Sequence, residues 1–253
     1  MRRITPPHTH CLQDKSGEDS NQHTMADVLI RTYESRDYDD VRVLFAEGVM
    51  DYLCRPSTFI YILRLPHTHI TVLVLSITLH LVFRSYLASL LGVVSLLALV
   101  PLVILFIFRQ IIDKAYKADL RNIEESYMLS PNSCFWVAES KGRVVGMVGV
   151  QAAQGSHHDI ELRRLCVTKD HRHKGIARSL CRRVIDFAGE RGYKQVNLNT
   201  TTLQQAAQKL YMNMGFRIIK SKLVSNPFGR QANVSVTYYT YDIKSEPPVS
   251  GKF

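Results

Sequence analysis

IELRRLCVTKDHRHKGIARSL, residues 160–180, changes character halfway along its length. Ile160 to Val167 reads as a strand, and a period of two sets Glu161 and Arg163 on one face of it. Gly175 to Glu190 reads as a helix closed by Gly192. Between them lies Arg172-His173-Lys174-Gly175-Ile176-Ala177, a basic turn with glycine at the helix entrance. Backbone N–H groups at a helix N-terminus point outward, and the dipole adds about half a positive charge. Gly175 lacks the Cβ that would hold an anion off the backbone. Such a turn suits a phosphate-bearing ligand. Taken alone, it reads more readily as an ordinary basic loop before a helix.

Working outward, Val28 to Tyr33 reads as a strand, and Arg36 to Met50 places Tyr38, Val41, Leu44, Phe45 and Val49 at helical spacing. A long apolar stretch runs from Phe59 to Phe108, and a charged helix is expected over about Ile111 to Met128. Cys134–Ala138 and Val144–Val150 form a hairpin around Lys141-Gly142-Arg143. Beyond the central helix come a strand at Gln195–Asn199, a helix from Gln204 to Met214 stopped by Gly215, and strands at Phe216–Leu223 and Val234–Ile243. This order predicts an α+β fold, a mixed sheet flanked by helices, with no internal repeat. The expected organisation is a disordered extension over 1–27, the first strand and helix of the domain over 28–58, an inserted apolar hairpin over 59–108, the rest of the domain over 109–243, and a flexible tail over 244–253.

The chain has 253 residues with 32 Lys and Arg against 22 Asp and Glu, a formal charge of +10. That excess suits a polyanionic ligand or an anionic membrane face. Nucleic acid is not expected as a partner, because the basic residues are scattered and no nucleic-acid-binding motif is found. The five cysteines are odd in number and include no C-x-x-C pair, so reduced thiols in a cytosolic environment are expected. His157-His158 and His171-x-His173 lack a carboxylate or cysteine at ligand spacing, and no metal is expected.

Two further pieces set the basic turn in context. Leu165-Cys166-Val167 ends the strand five residues before Arg172, and Ala207-x-x-Leu210-Tyr211-x-x-x-Gly215-Phe216 follows some way beyond the glycine. In this order and spacing the pieces resemble the acetyl-CoA signature of the Gcn5-related N-acetyltransferase superfamily, over Val28–Tyr33 and Cys134–Ile243. The resemblance implies an enzyme that moves an acetyl group from acetyl-CoA to an amine. It implies that the backbone of Leu165 and Val167 bonds the pantetheine arm like an added strand, and that Arg172, His173, Lys174, Gly175, Ile176 and Ala177 grip the pyrophosphate. Many members carry Asn seven residues before the tyrosine; here that position is Gln204, which can still bond the cofactor arm.

Acetyl transfer requires a neutral amine, a polarised thioester carbonyl and a proton for the departing thiolate. The N–H of Val167 would meet the carbonyl oxygen as an oxyanion hole does. Tyr211 is the candidate acid for the sulfur of CoA, or else packs over the CoA chain. Glu161 stands eleven residues before Arg172, the spacing of the general base in the histone-acetyltransferase branch; it is the candidate base, or a solvated residue at the strand end. Arg163 could pair with the carboxylate of an amino-acid substrate. It reads more readily as a surface or cofactor-facing charge, as does Arg164.

Ser85 to Phe108 contains no charge, and as a helix of about 36 Å it would match a hydrocarbon core of about 30 Å. An apolar hairpin inserted between the first two helices of this signature resembles the N-acetyltransferase 8, or camello, family. Leu63-Arg64-Leu65-Pro66 before the hairpin, His171-Arg172 before the glycine and Ala207 to Phe216 carry that resemblance. It implies residence in the endoplasmic reticulum or a related membrane. It also implies an acceptor that is either an amino-acid derivative such as a cysteine S-conjugate, slightly favoured, or a protein lysine, histones included. A non-catalytic membrane scaffold is the reading of a different class. Basic residues flank the hairpin at Arg55, Arg64, Arg109, Lys114, Lys117 and Arg121, with Arg84 alone at its tip, so both termini and the catalytic domain are expected in the cytosol. The triplets Asn199-Thr200-Thr201 and Asn233-Val234-Ser235 would then stay unglycosylated.

Overall fold

The structure, a computed structural model, describes residues 28–53, 66–153, 155–156, 158–224 and 234–243. The expected extension over 1–27, residues 54–65 at the hairpin entrance, His157, Asn233 and the tail over 244–253 lie outside the described residues. The strands are β1 (Val28–Thr32), β2 (Cys134–Ser140), β3 (Arg143–Ala152), β4 (Asp159–Val167), β5 (Gln195–Thr201), β6 (Arg217–Leu223) and β7 (Ser235–Asp242). The helices are α1 (Tyr38–Leu53), α2 (Pro66–Phe83), α3 (Tyr86–Lys117), α4 (Ile176–Glu190) and α5 (Gln205–Asn213). The described strands form one seven-stranded sheet in the order β1-β2-β3-β4-β5-β7-β6. Only the β4–β5 pairing is parallel, since a helical crossover joins those two strands. The expected mixed α+β sheet is what the chain forms.

Helices cover both faces. Gly146 of β3 lies under Ile176 and Leu180 of α4, whereas Cys166, which pairs with the next residue Met147, lies against Gly48 of α1. Alternation along a strand therefore puts α1 and α4 on opposite sides. The core between the layers contains Trp136, Phe135, Tyr127, Met147, Ile160 and Leu180, all nearly inaccessible to solvent, with Trp136 edge-on to Phe187 at 5.3 Å. β1 pairs β2 along its length although the hairpin intervenes in sequence. The two ends of the insertion thus return to one domain.

The insertion is a pair of helices, α2 and α3, turned at Arg84-Ser85 and packed where Gly92 meets Leu79. Apolar side chains project outward all along it: Leu73, Ile77, Leu81, Leu87, Leu91 and Phe106 are each more than half exposed. No helix among the described residues is long and apolar enough to cross a membrane. The expected hairpin is therefore present, whereas its expected crossing of, or entry into, a membrane is not shown by its helices. A second expectation changes with it. The charged helix over Ile111–Met128 is not a separate element: α3 continues to Lys117, breaks at Ala118 (φ −94°, ψ −120°), and a π-turn over Glu124–Met128 follows. The break frees Asp119 for contacts made below. A third correction concerns the thiols: Cys134 is disulfide-bonded, while Cys166 and Cys181 are free.

Close approach at Gly149 permits the packing of the sheet on the π-turn. A Cβ there would stand 2.8 Å from Cε1 of Tyr127 and 3.0 Å from Cδ2 of Phe135, both rings fully buried. Gly149→Val is expected to destabilise the fold by roughly 1–3 kcal/mol through overpacking, read as a lowered midpoint in urea denaturation. An unchanged midpoint would show that this contact is not tight.

Candidate active site

β4 and β5 pair over three residues only, Asp159–Glu161 against Gln195–Asn197. Beyond that rung β5 stays paired with β7 to Thr201, and β4 stays paired with β3 to Val167. Their facing edges part, and the edge of β4 from Leu162 to Val167 opens into a groove. Unpaired backbone groups on such an edge seek a partner.

Which groups face the groove is set by a bulge. The carbonyl of His158 accepts from Lys194 N–H at 2.8 Å, on the β5 side, and that of Asp159 accepts from Ala153 N–H at 3.0 Å, on the β3 side. At the other end Thr168 N–H donates to the Val145 carbonyl at 2.9 Å, again on the β3 side. Simple alternation would send Thr168 the same way as His158. The parity is reversed because the pairing steps from Gly149↔Arg163 to Met147↔Cys166, leaving Arg164 and Leu165 opposite Val148. Arg164 takes the extra residue in the left-handed region at φ 58°. As a result the N–H groups of Leu165 and Val167 face the groove, the edge on which an extended cofactor arm could pair.

The groove leads to the N-terminus of α4. Gly175 there has φ 84°, no side chain caps the helix, and an added Cβ would meet nothing within 4 Å. Ile176 is buried beneath Gly146 and fixes the first turn, Ala177 is half-buried, and His173 (φ 62°) and Lys174 are exposed. This is a cradle of open N–H groups with two cationic-capable side chains beside it, and it fits a pyrophosphate. Arg172, expected at the pyrophosphate, makes two contacts within the protein. Its Nη1 reaches Asp51 Oδ2 at 2.5 Å and its Nε donates to the Val167 carbonyl at 3.1 Å, so its guanidinium ties the end of α1 to the groove.

Glu161 stands at the last paired rung, where the strands part. Its Oε1 accepts from Asn199 Nδ2 at 3.0 Å, and its Oε2 is 3.5 Å from Nε of Arg163. Arg163 Nη1 donates to Gln151 Oε1 at 2.8 Å, and Gln151 in turn donates to the Ser126 carbonyl at 2.9 Å. The Arg163 side chain nevertheless keeps 40% of its surface exposed. On the β5 side, the oxygen of the Gln204 amide accepts from the Thr200 hydroxyl, which holds the start of α5 to β5. Tyr211 of α5 is almost fully buried, its ring 5.6 Å from that of Phe216 and 5.9 Å from that of Tyr239. Glu161, Arg163, Leu165 and Val167 thus share β4, the turn at 172–177 caps the groove, and Gln204 and Tyr211 belong to the elements that follow β5.

Sequence reasoning missed a cluster behind β4. Arg164 forms a two-pronged bond to Asp119, Nε to Oδ2 at 2.9 Å and Nη2 to Oδ1 at 2.5 Å, and lies 4.8 Å from the Phe45 ring. The Tyr127 hydroxyl also donates to Asp119 Oδ2. Burial alone would raise the Asp119 carboxyl, but hydrogen bonds from Arg164 and Tyr127 hold it below the usual carboxylate range. Burial and the neighbouring Asp119 charge push the Tyr127 phenol well up. No spacing in the sequence announces this set, because the pattern over Ile111–Met128 is that of a continuous helix.

The acetyltransferase (GNAT) family pattern matches residues 105–216. The chain is 37% identical over 221 residues to a Xenopus tropicalis protein described as "Probable N-acetyltransferase camello", covering 87% of this chain and all of that one. It is 37% identical over 199 residues to N-acetyltransferase 8 of Rattus norvegicus, covering 76% and 87% of the two chains. Among solved structures, an acetyltransferase of the GNAT family from Staphylococcus aureus superposes with a TM-score of 0.53 at 17% identity, over 86% of this chain and 99% of that one. A GCN5-related N-acetyltransferase from Kribbella flavida gives 0.53 at 16% identity, over 86% and 98%.

Gly175→Glu brings a side chain and a negative charge into the cradle. It is expected to weaken acetyl-CoA binding at least about a hundredfold, measured by calorimetric titration of the purified chain, since phosphate binding there uses open N–H groups and positive potential. Unchanged affinity would remove the turn from the cofactor site.

Proposed function

Because this chain belongs to the N-acetyltransferase 8 and camello family of GNAT acetyltransferases and is an acetyl-CoA-dependent N-acetyltransferase, we propose that it acetylates the amine of a small amino-acid derivative, such as a cysteine S-conjugate. The observation that carries this reading is the placement of Glu161 beside Arg163 at the mouth of the groove. A carboxylate to take a proton from an ammonium and a guanidinium to hold a carboxylate are the two groups an α-amino acid asks for. An α-amine has a pKa near 7.7–8 and is roughly ten per cent neutral at pH 7, whereas a lysine amine near 10.4 is neutral about once in 2,500. The α-amine thus needs less help from the base.

In this reading Glu161, held by Asn199, receives the amine proton. The N–H of Val167 donates to the thioester carbonyl as negative charge grows on it, and the bulge presents that N–H to the groove without further reorganisation. Tyr211 gives its phenolic proton to the departing thiolate. Leu165 pairs with the pantetheine arm, His173 to Ala177 receive the pyrophosphate, and Gln204 supports the arm from the β5 side. Arg172 contributes by fixing the Val167 carbonyl. Acetylation of protein lysine is the competing reading; the formal charge of +10 works against a basic tail as partner.

The proposal includes the membrane. An apolar helical pair with outward-facing Leu73, Ile77, Leu81, Leu91 and Phe106 has no counterpart surface among the described residues, and lipid is the environment that would cover it. The hairpin inserts in the membrane of the endoplasmic reticulum or a related compartment and holds the domain at its surface. The basic residues after the hairpin favour the cytosolic side. The disulfide at Cys134 pulls the other way, since such bonds persist in oxidising compartments. Several charges outweigh one bond here, and Asn199 supplies the check. A glycan on Asn199 would break its bond to Glu161, so an active lumenal enzyme would have to leave that triplet unmodified.

A panel of acetyl acceptors with thiol release as the readout tests the substrate. S-benzyl-cysteine is expected to turn over with the higher kcat/KM; preference for a lysine peptide would overturn the choice of acceptor. Tyr211→Phe is expected to leave the Kd for acetyl-CoA within a few-fold and to lower kcat by about 10²–10⁴. Full turnover would return Tyr211 to a packing role. In sealed microsomes from mammalian cells, the C-terminal domain is expected to be digested by added protease and to show no endoglycosidase shift; protection, or a shift mapped to Asn199, would contradict the cytosolic placement.

A further inference from the structure

The direction of the Leu165 and Val167 N–H groups depends on one residue. Without the extra residue at 164, alternation from Asp159 onward would turn those two N–H groups toward β3 and leave the groove facing Arg164 and Cys166 instead. The bulge places Arg164 at φ 58°, a conformation that a residue with a Cβ adopts at a cost. Something must hold it there. The Arg164 guanidinium is gripped by both oxygens of Asp119, at 2.9 and 2.5 Å, and lies over Phe45 of α1. A fork of this kind fixes direction as well as distance. Asp119 is itself held by the Tyr127 hydroxyl, and Tyr127 is locked against Phe135 with ring centroids 5.1 Å apart. The chain can offer Asp119 because α3 ends at Lys117 and its backbone breaks at Ala118.

We infer that Asp119, Tyr127 and Arg164 form a positioning clamp that holds the β4 bulge and so aims the N–H groups of Leu165 and Val167 at acetyl-CoA. The clamp touches neither substrate nor reacting atoms; it acts through the backbone of the strand. It also joins the end of the hairpin to the cofactor edge, since α3 leads into Asp119. The inference rests on the reading of the open β4 edge as the acetyl-CoA edge.

Glycine separates this role from simple stabilisation, because glycine adopts positive φ at no steric cost. Arg164→Ala and Arg164→Gly both delete the clamp, but only the glycine variant can keep the bulge unaided. Calorimetric titration of the full chain in detergent with acetyl-CoA is expected to show Kd raised about tenfold for Arg164→Ala and within about threefold of the native value for Arg164→Gly. Thermal unfolding is expected to fall for both. Equal losses of affinity in the two variants, or no loss in either, would overturn the clamp. Should Arg164→Ala fail to fold, Arg164→Lys takes its place: it keeps the charge on a residue at positive φ but loses the fork, and Kd is expected to rise at least about threefold. Native affinity in that variant would also overturn the clamp. Gly175→Glu titrated alongside reports on the underlying site: if it binds acetyl-CoA normally, the cofactor site itself lies elsewhere, whatever the Arg164 variants do.

Discussion

A strand in the middle of a sheet has hydrogen-bonding groups on two edges, and β4 meets that demand on one side only. Over its first three residues it has β5 on its second edge; over the rest no strand among the described residues pairs with that edge. Free N–H and C=O groups cost energy wherever water is displaced from them, so the parted edge is poised for a ligand that can act as a strand. The proposed acetyl-transfer site is arranged around that parting. The candidate base stands at its apex, the bulge turns two N–H groups into it, and the next turn of the chain ends in an uncapped helix.

The rest of the fold holds the two walls apart. On the β4 side, α1 lies so close that a Cβ on Gly48 would stand 2.4 Å from the Cys166 sulfur, and Asp51 at its far end fixes Arg172 over the Val167 carbonyl. On the β5 side, α5 is held by Gln204 and by the packing of Tyr211 between Phe216 and Tyr239. The insertion of α2 and α3 does not disturb this frame, because β1 pairs β2 directly and the sheet closes across it. The same break that ends α3 provides the Asp119 that grips β4.

The regular elements were legible because their signals are local. Short apolar runs on either side of Lys141-Gly142-Arg143 marked β2 and β3, the glycines marked the turns at 142 and 192, and the basic turn with Gly175 marked the entrance to α4. The spacing from Leu165 through Gly175 to Tyr211 was enough to suggest the family to which the chain belongs. What could not be read were features that depend on register. A bulge adds one residue without changing composition, so nothing in Arg163-Arg164-Leu165 shows that Arg164 adopts positive φ. The helix expected over Ile111–Met128 is interrupted for a related reason: Asp119 looks helical by pattern, but it lies past the break at Ala118, where it meets Arg164 and Tyr127. Arg172 looked like a phosphate ligand by position, and only the approach of α1 reveals Asp51 as its partner. Asn199 appeared as part of a glycosylation triplet, and its bond to Glu161 is visible only once β5 lies beside β4.

The central claim is that the open edge of β4 receives acetyl-CoA as an added strand. Amide hydrogen exchange at Leu165 and Val167, followed with and without saturating acetyl-CoA, addresses it directly. Both amides are expected to exchange fast in the free protein and to slow at least about tenfold when acetyl-CoA binds, because each then donates to a partner instead of to water. Binding that leaves both amides exchanging at the free rate would contradict the account.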